Sequence, residues 1–87
     1  MAAPHNNLGS LYLAQGRIAE AVEALDEASR LEPQGSHIQY NLALARLRAG
    51  DREGAAEALR RAIHLRGVFP EAQAALDRLS TEPARAR

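Results

Sequence analysis

Three histidines are the first residues to examine for chemistry: His5, His37 and His64. A catalytic zinc needs ligands at helical spacing, such as two His at i and i+4 with a Glu beside the first. Each His here stands alone in its own segment, so no metal and no cofactor are expected. Ser10 has no His and acid placed to activate it and no Gly-x-Ser-x-Gly elbow around it. The acidic pairs Asp26-Glu27 and Glu20/Glu23 could share acid–base work only in a cleft that drives their pKa values apart. Their spacing instead places them on the wet face of a helix. Arg46, Arg48 and Arg52, with Arg60-Arg61, make one stretch locally basic, but no aromatic set is interleaved to stack bases. The glycines form no phosphate-cradling loop. Neither catalysis nor nucleic-acid binding is expected.

Composition points the same way. The formal net charge is zero, so no overall field recruits nucleic acid or an anionic membrane. All eleven basic residues are Arg, a count that a biased genome would also give. Charge is unevenly placed. Residues 1–35 carry Arg17 and Arg30 against five acids, whereas residues 36–69 carry six Arg against three acids. There is no Cys, hence no disulfide, thiolate metal site or cysteine nucleophile. Met1-Ala2-Ala3-Pro4-His5 lacks the basic and apolar regions of a secretion signal, and no stretch approaches a membrane span. A soluble, cytoplasmic protein is expected.

The elements that would position any site follow from an internal repeat. A shift of 34 residues lays Leu8 on Leu42, Leu13 on Leu47, Gly16 on Gly50 and Ala21 on Ala55. It also lays Leu25 on Leu59, Ala28 on Ala62 and Leu31 on Leu65. A gapless period of this length marks a helix-turn-helix array.

Apolar spacing predicts five helices. The first runs over about 4–15, with Leu8, Leu11 and Tyr12 as its stripe, and Gly16 stops it. The second runs over 18–31, with Ile18, Ala21, Val22, Leu25, Ala28 and Leu31 inward, and ends before Pro33. Ser36 is expected to cap a third, over about 37–49, which carries Ile38, Leu42, Ala45 and Leu47. Asp51 caps a fourth, over 52–66, whose stripe is Ala55, Ala58, Leu59, Ala62, Ile63 and Leu65, closed by Gly67. A fifth opens at Pro70 and runs to about 80, with Leu76 and Leu79 expected to lack a partner helix. Residues 83–87 are expected to form a flexible tail.

Leu8-Gly9 with Tyr12, then Ala21, Leu25, Ala28 and Pro33, resembles the tetratricopeptide repeat signature. The resemblance implies one all-α domain over 1–82, a right-handed solenoid of about five antiparallel helices. Its repeats would be 2–35 and 36–69, with a capping helix over 70–80. The departures are His5 and Gln39 at the usual tryptophan position, Arg46 where Tyr12 stands one repeat earlier, and Gly67 for the closing proline.

The resemblance also implies a function: a non-catalytic module that binds a peptide or helix of a partner on its concave face. The lining residues would be Asn6, Ser10 and Leu13, then His37, Tyr40, Leu44 and Arg48, then Ala74 and Arg78, with Asn41 beside them. Tyr40, Leu44 and Arg48 stand at i, i+4 and i+8 on one helix face. Some members of the family clamp a chaperone's C-terminal carboxylate with Lys, Asn and Arg. At those positions this chain has Asn6, Ser10, Asn41, Glu71 and Ala75, of which only Asn41 fits, so no such clamp is expected. Asn41 aligns with Asn7 across the repeat, which suggests a shared structural role. Two rival readings remain: a structural element that assembles with itself as a weak, salt-sensitive oligomer, and the repeat segment of a larger enzyme or scaffold.

Overall fold

A computed structural model of the chain describes residues 3–81. They form α1 (Ala3–Ala14), α2 (Ile18–Leu31), α3 (Ser36–Arg48), α4 (Arg52–Arg66) and α5 (Pro70–Thr81), with no strand among the described residues. The expected all-α helical repeat is the observed architecture. Each helix packs on its neighbour in sequence, and α1 also touches α3. The expected tail over 83–87 lies outside the described residues.

The 34-residue register governs the turns. At the end of α1 the Gly16 amide donates to Leu13 O and the Arg17 amide to Tyr12 O. At the end of α3 the Gly50 and Asp51 amides bond to Leu47 O and Arg46 O in the same pattern. Both glycines hold positive φ, +76° and +89°, where a Cβ would be strained. The chain thus reverses twice by the same device.

The core is built on alanine and leucine. Leu25 and Leu59, one repeat apart, are fully buried, each among alanines of its own stripe. Complete burial of one such leucine contributes about 1.5–3 kcal/mol. Ala21, Leu25, Leu42 and Ala45 join α2 to α3, while Ala43, Ala58, Leu59, Ala62, Phe69 and Ala72 join α3, α4 and α5. Small residues let the helices approach closely. A Cβ built on Gly9 would lie 2.5 Å from Leu25 Cγ, so α1 can meet α2 here only through a glycine.

Four expectations are corrected. Gly35, not Ser36, stands at the N-cap of α3, and no side chain caps that helix. The helix opens one residue earlier because the Ile38 and Gln39 amides both donate to Gly35 O at 3.1 Å, closing the first turn on that carbonyl. Leu31 and Leu65 are exposed, because each lies in a last turn beyond the final buried alanine of its stripe. Leu8 and Leu11 are exposed as well, whereas their repeat mates Leu42 and Ala45 are buried against α2. No described helix occupies the corresponding place beside α1. Finally, Leu76 and Leu79 do not face away from the stack; they are partly buried against the α4 cluster.

Candidate functional site

The residues expected on the concave face divide into three groups. Asn6 is buried, and its Oδ1 accepts a hydrogen bond of 3.1 Å from Asn41 Nδ2. This polar link ties α1 to α3 across 35 residues. Asn41 therefore pairs with Asn6, not with its repeat mate Asn7, because a one-residue step on α1 turns the side chain toward α3. Both amides are engaged in the fold.

Tyr40 and Leu44 form the second group. Both are partly buried on α3. The Tyr40 ring lies 5.1 Å from that of Phe69, tilted by 40°, in the range of favourable aromatic pairing. Phe69 is itself buried, and the Arg66 guanidinium lies over its ring, 4.5 Å from the centroid. Tyr40 is thus held by the turn that leads into α5. Its aromatic partner is 29 residues away, which no local pattern reveals.

The third group is open to water: Ser10 on α1, His37 in the first turn of α3, Arg48 in its last turn, and Arg78 on α5. Neither Arg48 nor Arg78 has a carboxylate partner among the described residues. Arg78 borders a cleft of about 80 Å³ with Leu47, Arg52, Ala75 and Leu79. A basic residue at the C-terminal end of α3, as Arg48 is, also sits favourably at the negative end of the helix dipole.

Larger grooves lie elsewhere. One of about 570 Å³ runs between α4 and α5, over Ala56, Leu76 and Leu79 with Arg52, Glu57 and Arg60 at its edge. Another of about 410 Å³ lies beside α4, between Pro33, Arg60, Arg61, His64 and Leu65. A third of about 390 Å³ separates α1 from α2, with Leu8, Tyr12 and Ala24 as its apolar part and Glu20, Glu23 and Glu27 around it.

Electrostatics in α2 is local. Arg17 pairs with Glu20, Arg30 with Glu27, and Arg46 of α3 reaches Asp26 at 3.1 Å. The hydrogen bond from Arg30 holds the Glu27 carboxyl below the usual carboxylate range, and raises the Arg30 guanidinium in turn. Arg17 is raised likewise by its hydrogen bond to Glu20. These groups lie on a solvated surface and bind each other, which is the behaviour of a structural face. Among the described residues no three His, Asp or Glu gather to hold a metal ion. No described helix is long and apolar enough to cross a membrane.

Sequence reasoning missed Gln39 as a structural contact. It is buried, donates from Nε2 to Ser29 Oγ at 2.8 Å and joins α3 to α2. Its place at the repeat position normally held by an aromatic was the available signal.

Comparison with known proteins adds two findings. The family model described as tetratricopeptide repeat matches residues 6–67. The TPR repeat-containing protein PA4299 of Pseudomonas aeruginosa is 47% identical over 51 residues, which is 59% of this chain and 21% of that protein. The chain thus spans about a fifth of the length of the relative it matches.

Proposed function

Given that the chain belongs to the tetratricopeptide repeat family, whose repeats generally mediate protein–protein interaction, we propose that it is a non-catalytic module that grips a partner peptide along α3. One observation carries this reading. Tyr40, Leu44 and Arg48 stand one turn apart on the same helix, running from a ring packed on Phe69 to a guanidinium with no carboxylate partner among the described residues. Such a row offers a rigid aromatic, an aliphatic and a two-pronged donor to an extended or helical segment. Tyr and Arg are also the types most enriched among residues that dominate interface energy. Ser10, His37 and Arg78 would contribute polar contacts at the rim, while Asn6 and Asn41 hold α1 and α3 in register beneath.

The test separates binding from folding. Arg48→Glu reverses an exposed charge and leaves the Tyr40–Phe69 pair intact. Its melting temperature should match that of the unchanged chain, while capture of partners from a native lysate falls away. Undiminished capture would remove Arg48 from the site. Tyr40→Ala is the poorer probe, since it also strips a ring from Phe69.

A second reading treats the chain as the repeat segment of a larger scaffold or enzyme. The matching relative favours it, since the similarity covers only a fifth of that protein.

A further inference from the structure

The outer faces of α2 and α4 are charged in opposite ways at matching positions. On α2, Glu27 holds Arg30, and Asp26 holds Arg46 of α3. A shift of 34 residues turns Glu27 and Arg30 into Arg61 and His64, and Asp26 and Arg46 into Arg60 and Ser80. Both carboxylates have become arginine, and neither has gained an acid in exchange. Arg60 and Arg61 are exposed, with no hydrogen bond or ion pair among the described residues. The other two arginines of α4 are engaged, Arg52 on Leu79 O and Arg66 over the Phe69 ring. The helix dipole favours His64 and Arg66 in the last turn, but Arg60 and Arg61 stand before it.

These unpaired groups border the groove of about 410 Å³ between α4 and the α2–α3 turn. Both walls lie within the stack, so neither end of the helix array creates the groove. Pro33 and Leu65 supply an exposed apolar part, and Arg60, Arg61 and His64 a basic one. Glu57 is the one carboxylate on its lining. A volume of this size is in the range of pockets that hold ligands.

We infer that this groove docks an acidic segment of a partner protein, one with an aliphatic side chain set between carboxylates. The aliphatic group rests on Pro33 and Leu65. The carboxylates supply Arg60 and Arg61 with the acids that the chain itself leaves out, each accepting paired N–H bonds from a guanidinium fork. Nucleic acid fits less well, because no aromatic lines the groove to stack a base and Glu57 faces the phosphates. An anionic membrane calls for a larger basic cluster than this one. A second copy offers little, since its Glu20, Asp26 and Glu27 already hold arginines and its Asp51 caps α4. None of Tyr40, Leu44 and Arg48 lines the groove, so this site does not depend on the row along α3.

The probe is a short capped peptide with leucines set between glutamates, paired with a control that carries glutamine for glutamate. Titrated against the full chain, the acidic peptide should bind and weaken with added salt. The control should bind at least about tenfold more weakly, and Arg60→Glu with Arg61→Glu should weaken the acidic peptide by a similar factor. Leu65→Ser should weaken it as well. Glu57→Gln should tighten it, since an opposing charge is gone. Arg48→Glu should leave it unchanged, which separates this groove from the α3 row. Arg60 and Arg61 are exposed and unpaired, so the double variant should melt as the unchanged chain does. If it melts lower, the milder Arg61→Gln carries the same test with a smaller loss expected. The inference is overturned if the acidic peptide shows no binding below about 1 mM, or binds these arginine variants as it binds the unchanged chain. Equal binding of the two peptides overturns it too. So does tighter binding of a single-stranded oligonucleotide or of phosphatidylserine vesicles that the double variant abolishes, since the groove would then serve a nucleic acid or a membrane.

Discussion

The helix pairs α1–α2 and α3–α4 share one register but fasten themselves by different chemistry. Where the first pair has Gly9 pressed on Leu25, the second has Ala43 at the matching place. The position before the second helix is Arg17 in one and Asp51 in the other. Asp51 caps α4 by accepting from the Gly54 amide at 2.9 Å, and Gly54 leaves room for that carboxylate. Arg17 caps nothing; it pairs with Glu20, the repeat mate of Gly54, and lies 4.8 Å from the Tyr12 ring centroid. Tyr12 is in turn replaced by Arg46, which reaches both Asp26 and Gly54 O. The buried leucines and the chain reversals are common to both pairs, whereas the polar fastenings have been exchanged as sets. Shape is fixed by the apolar seam, and the polar seam need only be internally consistent.

The largest test of this contrast is at the shared seam. Leu25→Ala and Leu59→Ala should each cost about 2–5 kcal/mol in chemical denaturation, by lost burial plus a cavity. Losses below half a kcal/mol at both sites would mean that the leucines do not hold the pairs together. Next comes the seam where the pairs differ. Gly9→Ala should destabilise by about 1–3 kcal/mol, because the new methyl overlaps the Leu25 side chain. The reciprocal Ala43→Gly should cost about 1 kcal/mol from helix propensity, plus its lost buried methyl. If Gly9→Ala stabilised the chain instead, the close contact of Gly9 with Leu25 would be disproved.

The caps come third. Asp51→Ala should lose about 1 kcal/mol, while Arg17→Ala, which removes no cap and only an exposed ion pair, should cost clearly less. The smallest effect is on acid titration. Because Glu27 is depressed in the folded chain, its contribution is present above its unfolded pKa and is lost as pH falls through the lower folded value. Glu27→Gln should therefore flatten the acid limb of the stability curve slightly. An unchanged limb would show the Arg30 pair to be thermodynamically silent.

Much of the fold was legible because its punctuation is chemical. Gly16, Pro33, Gly50, Asp51 and Gly67 mark ends that those residue types favour, and α2 and α4 begin and end where the sequence places them. The start of α3 was not legible, since it is set by which carbonyl the Ile38 and Gln39 amides close on, and both take Gly35 O. Periodicity gave Leu8 and Leu11 an apolar face but could not say whether a helix lay against it. That depends on a neighbour, not on the residues themselves. For the same reason the candidate row was legible as a spacing, Tyr40, Leu44 and Arg48, while the Tyr40–Phe69 and Asn6–Asn41 contacts were not. Each of those joins residues about thirty positions apart and follows from how the helices stack.

Packing that runs mainly between helices adjacent in sequence also sets the molecule's behaviour in time. Every seam between sequence neighbours is closed by a short loop, so little chain entropy is spent before contact energy returns, and folding belongs in the microsecond-to-millisecond class. The converse holds for opening. A linear stack loosens from its ends, and α5 rests chiefly on α4, whereas α3 is gripped by α1, α2 and α4. Amide hydrogens of α5 should therefore exchange through small local openings, and those of α3 only when most of the chain comes apart.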